Sequence, residues 1–210
     1  MKEAVVWILN TKEIESCKNR DALVREMRRK KAMRLCKEEV NRSLGAGYLL
    51  QRFCETFQVR EGDCQYGKEG KPYFLDASVP AFSLSHSGEW VVLAFLKEGT
   101  GEIGVDIQEW RTVSSLFLKR ILSEKELAMD LQLSPIQMWT IKEAFSKMTG
   151  EGLHLDFRLL SIDPMKKMVE EEGKNRRAYY RKLVLPDSYE GVLCSECALD
   201  FVTMEKISLL

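Results

Sequence analysis

The run Trp139-Thr140-Ile141-Lys142-Glu143-Ala144-Phe145-Ser146-Lys147 sets a carboxylate and an ammonium four residues apart. On a helix Trp139 and Glu143 share a face, as do Glu143 and Lys147. Alone, such a pair is ordinarily a surface ion pair worth roughly 0.3–0.5 kcal/mol. Its neighbours give it more interest. Ile103-Gly104-Val105-Asp106-Ile107-Gln108 alternates with the period of a strand, so Ile103, Val105 and Ile107 take one face while Gly104, Asp106 and Gln108 take the other. Asp106 together with a helix-borne Glu143 could offer the hard oxygens that suit Mg²⁺, with water and substrate phosphates completing the shell. Ser83-Leu84-Ser85-His86-Ser87-Gly88 makes a phosphate-contacting corner, and Lys71-Pro72 and a basic helical stretch with Arg42 add cationic groups.

These residues need elements to hold them. The apolar run within Met1–Asn10 reads as a buried first strand, and residues 19–37 as a very basic helix containing Arg28 and Lys31. A second helix is predicted from Glu38 to Phe57, with Leu50, Phe53, Cys54 and Phe57 forming its apolar stripe. Phe82–His86 and Trp90–Phe95 read as a hairpin turning at Ser87-Gly88. Ser123-Glu124-Lys125-Glu126 is a capping box, which suffices to explain Glu126; Ser134-Pro135 opens the motif helix and Gly150 stops it. Strands are predicted at Leu159–Ile162, Tyr179–Leu185 and Val192–Phe201, and the charge-dense stretch 165–177 is expected to be a solvated turn region. The expected fold is α+β, in two tightly packed halves at about 1–100 and 101–210.

Composition narrows the class. The 210 residues carry 32 Lys+Arg and 32 Asp+Glu, so any attraction to phosphate must be local rather than global. The N-terminal apolar run is too short for a signal peptide or a membrane span, which predicts a cytoplasmic protein with no membrane partner. Of the six cysteines, Cys194-Ser195-Glu196-Cys197 is a single CxxC with no second pair or nearby His, which reads as reduced strand cysteines rather than zinc.

The pattern Gly104-Val105-Asp106 followed by Trp139-x-x-Lys142-Glu143-x-x-x-Lys147 resembles the signature of the 4′-phosphopantetheinyl transferase superfamily. Asn41-Arg42-Ser43-Leu44-Gly45, Gly67-Lys68-Glu69-Gly70-Lys71-Pro72, the Phe82–Trp90 block and Gly150-Glu151-Gly152-Leu153 are similar to its surfactin-synthetase-activating (Sfp-like) branch. The resemblance covers roughly residues 25–162.

The resemblance implies two similar α+β halves in a pseudo-dimeric fold, with the active site at their junction. It implies an enzyme that moves the phosphopantetheine arm of coenzyme A to a serine of an apo acyl or peptidyl carrier protein, releasing 3′,5′-ADP. It also implies Mg²⁺, with Mn²⁺ as an alternative, and the length of this type suggests a monomer. Carried over residue by residue, Asp106 and Glu143 would bind the metal, and Glu143 would act as general base, directly or through water. Lys147 would support the leaving 3′,5′-ADP, and Lys142 would hold the pyrophosphate. Lys71 and His86 would contact CoA phosphates, with Pro72 in the adjoining block and Ser85 lining the pocket. Arg42 would grip the 3′-phosphate, with Arg28 and Lys31 near the phosphates, and Trp139 would pack behind the site.

Many relatives carry Asp-Ile-Glu where this chain has Asp106-Ile107-Gln108. An amide oxygen is a weaker Mg²⁺ ligand than a carboxylate, so the third metal position is Gln108 or water in preference to Glu109. Two other readings compete: a CoA-binding protein without transferase activity, and a nucleic-acid-binding protein using the basic 25–37 helix. Retention of Asp106, Lys142, Glu143 and Lys147 argues against the first. The zero net charge and the interrupting Glu26 argue against the second, so no nucleic-acid partner is expected.

Overall fold

A computed structural model describes residues 2–16, 37–98, 100–123, 126–127 and 132–209. The basic stretch with Arg28 and Lys31 lies outside the described residues, as do Cys17 and Cys36.

The first strand, β1 (Glu3–Asn10), runs into a short helix, α1 (Thr11–Ser16). Helix α2 (Lys37–Thr56) follows, then two short strands, β2 (Gln65–Tyr66) and β3 (Pro72–Tyr73), and the hairpin β4 (Phe82–Ser87) and β5 (Trp90–Leu96). Strand β6 (Ile103–Glu109) leads to α3 (Ser115–Ile121) and the motif helix α4 (Pro135–Thr149). The chain ends in β7 (Leu160–Asp163), β8 (Met168–Glu171), β9 (Arg176–Lys182), β10 (Tyr189–Ser195) and β11 (Phe201–Lys206).

Two larger sheets result, one ordered β11-β1-β5-β4 and the other β6-β10-β9-β8-β7. They pack face to face. Ala4, Val6 and Ile8 of β1 and Val92, Ala94 and Leu96 of β5 meet Ile103, Val105 and Ile107 of β6 and Leu193 of β10. The outer face of the first sheet is covered by α2, where Phe53 packs on Phe82 and Phe95 with ring centroids 4.5 and 5.5 Å apart. Met138, Ile141, Ala144, Phe145 and Met148 of α4 cover the second sheet, against Val169, Ala178, Tyr180 and Val192. The order is therefore helix, sheet, sheet, helix. It explains why β1 and β5 are apolar at nearly every position: both faces are buried.

The α+β class, the second helix, the hairpin, the β6 alternation and the start of α4 agree with the sequence expectations. Ser123 N–H donates to Glu126 Oε2 and Glu126 N–H to Ser123 Oγ, which is the reciprocal pattern of a capping box. The expected solvated turn at 165–177 is corrected: it contains β8, where Met168, Val169 and Glu171 are buried. Its charge does not prevent this, because Lys174 and Arg176 neutralise the buried Glu171. The single strand expected over Val192–Phe201 ends at Ser195, and a separate β11 crosses back to pair in parallel with β1. The first sheet thus takes its fourth strand from residues 201–206. Cys194 and Cys197 are free thiols, and among the described residues no helix is long and apolar enough to cross a membrane.

Candidate active site

Asp106 lies on β6, on the face turned to α4, and is only 1% exposed. A carboxylate so deep requires partners. Ser85 Oγ donates to Oδ1 at 2.8 Å, Lys147 Nζ donates to the same oxygen at 2.6 Å, and Gln108 Nε2 donates to Oδ2 at 2.9 Å. Lys147 Nζ also donates to Ser85 Oγ at 2.8 Å, closing a triangle between β4, β6 and α4.

Glu143 stands one helical turn before Lys147, and its Oε2 is buried with no hydrogen-bond partner. Burial, reinforced by the Asp106 charge and only partly opposed by Lys147, pushes its carboxyl up to about 7. Two carboxylates have been brought together with one ammonium between them. That arrangement disfavours ionisation of the second unless a further cation arrives.

Local sequence explains why these groups meet. Ser134 and Gln137 form a capping box at the start of α4, Pro135 occupies its first turn, and Gly150 ends it in the left-handed region at φ 75°. Gly104 allows the contact itself. A Cβ at that position would lie 2.1 Å from the Ala144 carbonyl oxygen and 2.3 Å from the Met148 nitrogen. Only glycine lets the β6 backbone touch the helix backbone, which draws Asp106 up to Lys147 and Glu143.

In front of this cluster lies an open cleft of about 550 Å³ whose walls include Arg42, Lys71, Pro72, His86, Lys147 and Gly150. Asp106 sits one hydrogen bond behind the wall, through Lys147 and Ser85. His86 stays exposed at the wall, yet partial desolvation by its neighbours, then the Lys147 and Arg42 cations, hold its imidazole below the ordinary histidine value. Arg42 uses one donor on the Gly88 carbonyl at 3.3 Å and keeps the rest of its fork. Glu39 and Glu69 also line the cleft, so the donors it offers a phosphorylated ligand are local, the free part of the Arg42 fork and the remaining Lys147 donor.

Several of the predicted site residues are placed differently. Lys142, expected to hold a pyrophosphate, is fully buried on the other side of α4. Its ammonium meets the carbonyls of Ile121, Phe157 and Leu160 and the carboxylate of Glu126, leaving no donor for a phosphate. Burial pushes its pKa down, against the pull of Glu126. Lys142 is corrected to an anchor that ties α3, residue 126 and the chain after α4 together. Lys71 lines the cleft with its stem, but its ammonium pairs with Glu102 and donates to the carbonyls of Met148 at 2.6 Å and Ile103 at 3.3 Å. Ser85 donates to Asp106 and accepts from Lys147 and from Ile107 N–H, so its hydroxyl is saturated within the protein. Trp139 packs against Phe117 and Phe157, as expected. Ser83 and Ser87, expected as part of a phosphate-contacting corner around His86, accept instead from the Val105 and Glu109 amides, a role signalled by their period-two spacing with Ser85.

Does the cluster suit Mg²⁺? Among the described residues there is no group of three or more His, Cys, Asp or Glu side chains able to hold a metal. The donor set is two carboxylates and the Gln108 amide. Magnesium commonly takes one or two carboxylates together with water and substrate phosphates. The unpartnered Glu143 oxygen beside Asp106 is the kind of buried donor a cation would satisfy, so the residues fit.

Residues 102–194 match the family model of the 4′-phosphopantetheinyl transferase superfamily. The chain is 31% identical over 136 residues to the 4′-phosphopantetheinyl transferase Sfp of Bacillus subtilis (strain 168), covering 60% of this chain and 59% of that protein. It is 29% identical over 147 residues to the 4′-phosphopantetheinyl transferase gsp of Aneurinibacillus migulanus, covering 67% and 59%. It is 30% identical over 119 residues to an L-aminoadipate-semialdehyde dehydrogenase-phosphopantetheinyl transferase of Eremothecium gossypii, covering 49% and 42%. The chain thus spans about three fifths of the length of the first two. The segment that matches the family model holds Gly104, Asp106, Glu143 and Lys147 in one cluster, so the similarity to 4′-phosphopantetheinyl transferases falls on the residues that build this site.

Proposed function

We propose that this protein transfers the 4′-phosphopantetheine arm of coenzyme A to a serine hydroxyl of an apo acyl or peptidyl carrier protein, with Mg²⁺, and releases 3′,5′-ADP. The observation that carries this reading is Glu143: a carboxyl with an unpartnered buried oxygen, pushed up to about 7 without metal, beside Asp106 and Lys147 and behind the cleft that Arg42 lines. Mg²⁺ beside this carboxyl would favour the carboxylate, so in the loaded site Glu143 would be ionised and able to accept the proton of a hydroxyl.

In the proposed reaction CoA lies in the cleft with its phosphates against Arg42, His86 and Lys147. Asp106, Glu143 and either the Gln108 carbonyl or a water would hold Mg²⁺, which when bound neutralises charge on the pyrophosphate oxygens. Glu143 takes the proton of the carrier serine, directly or through water. The serine oxygen forms a bond to the phosphorus that bears the pantetheine. The bond from that phosphorus to the bridging oxygen breaks, and its electron pair leaves on 3′,5′-ADP. Two of the three Lys147 donors hold Asp106 and Ser85, so the third is available to the leaving phosphate. In this reading the cleft is the junction of two pseudo-symmetric halves.

The test is the intact mass of an apo carrier protein incubated with CoA and Mg²⁺. A gain of one phosphopantetheine unit is expected. No gain across several fatty-acid and peptide-synthetase carriers overturns the reading in favour of a CoA-binding protein.

A further inference from the structure

Strand β4 is the edge of the first sheet and β6 the edge of the second. In the antiparallel pairing of β6 with β10, alternate N–H groups of β6 turn away from the partner strand. Those of Val105, Ile107 and Glu109 are met by side chains of β4. Val105 N–H donates to Ser83 Oγ at 3.1 Å, Ile107 N–H to Ser85 Oγ at 3.3 Å and Glu109 N–H to Ser87 Oγ at 2.9 Å. Both residue numbers rise by two at each rung, so the strands run parallel and three hydroxyls replace the main-chain ladder that would join the sheets.

The ladder is selective about register. A one-residue slip would present Phe82, Leu84 and His86 to the three amides, none with a hydroxyl. The middle rung is Ser85, the residue that also donates to Asp106 and accepts from Lys147. The alignment of the two sheets and the alignment of the site groups therefore share one oxygen atom. Ser83 is 3% exposed and has no hydrogen bond to Asp106, Glu143 or Lys147, although it lies on the cleft wall.

We propose that Ser83 is a positioning residue: its hydroxyl locks the register of β4 on β6 and so holds Ser85, Asp106 and Lys147 in their triangle. The inference rests on the transferase reading for its kinetic arm alone. A small misplacement of reacting groups costs up to about a hundredfold in rate, so Ser83→Ala lowers kcat by at least about tenfold, with KM for CoA within about twofold of wild type. Ser83→Thr keeps the hydroxyl and recovers most of the rate.

Amide hydrogen exchange followed by NMR supplies a readout independent of activity. In folded Ser83→Ala the Val105 amide exchanges faster, and Ile107 and Glu109 accelerate with it, whereas Ser83→Thr restores protection at all three. Acceleration confined to Val105 overturns the proposal. So does a raised KM with unchanged exchange, since Ser83 would then be a substrate contact. If Ser83→Ala does not fold, Ser83→Thr decides: loss of rate or of protection in that variant also overturns it. If wild-type protein transfers nothing to any carrier, the function reading fails, and the concerted or local pattern of exchange still judges the ladder.

Discussion

Glu143→Gln should make the protein more stable at neutral and alkaline pH. Glu143 has its carboxyl raised from 4.5 to about 7. Between those values the folded chain holds the proton more tightly than the unfolded chain does. Stability is therefore present at low pH and lost as pH rises through this window. The full shift of roughly 2.5 units corresponds to about 3 kcal/mol at 1.36 kcal/mol per unit, and partial exposure of the residue to solvent lowers this to about 2–3 kcal/mol. The glutamine carries no charge to desolvate. At pH 8 it should raise Tm by roughly 4–12 °C, taking about 2–4 °C per kcal/mol for a chain of this size. At pH 5, where the folded carboxyl is already protonated, the gain should shrink to under about 1 kcal/mol. The assay is thermal and urea unfolding of both proteins at pH 5, 6, 7 and 8 without divalent cations. Repeating it with Mg²⁺ should narrow the gap, because a cation stabilises only the carboxylate form. A variant no more stable than wild type at pH 8, or one with the same advantage at pH 5 and pH 8, refutes the account of an electrostatically frustrated Glu143.

Three further outcomes are expected. Gly104→Ala forces a Cβ against the α4 backbone, where neither neighbour is a flexible side chain, and should cost about 3 kcal/mol or prevent folding, as measured by urea unfolding; a neutral substitution would show that the contact is not tight. Lys142→Met strands Glu126 in the interior and should destabilise by about 3–5 kcal/mol, while Lys142→Met with Glu126→Gln should recover most of that loss. Failure of the double variant to recover would speak against the anchor role. Gln108→Glu should lower the Mg²⁺ concentration for half-maximal rate, because a carboxylate replaces an amide beside Asp106; an unchanged Mg²⁺ dependence would remove Gln108 from the metal site.

The α+β class, the long α2, the β4–β5 hairpin and the capped α4 were legible in the sequence because each rests on local chemistry. Periodicity, a serine N-cap, a proline in the first turn and a glycine stop act within a few residues of one another. The two faces of β6 followed from the same period-two rule, and Asp106 does face the helix that carries Glu143 and Lys147. Other features depend on contacts between residues far apart in the chain. Nothing near Lys142 distinguishes a phosphate ligand from a buried anchor; its direction is set by the rotation of α4 on the second sheet and by carbonyls at 121, 157 and 160. The buried β8 was hidden because Glu171 is neutralised by Lys174 and Arg176 only once the sheet forms. The crossing of β11 to β1 joins the two ends of the chain through a parallel pairing that no local pattern encodes. The serine ladder belongs to the same class: alternating hydroxyls are visible in the sequence, but their partners are amides of a strand in another sheet. The sequence by itself determined the residue types of the site and the elements that bear them. Tertiary packing alone decided which groups face the cleft, because direction and burial are properties of the assembled sheets and helices.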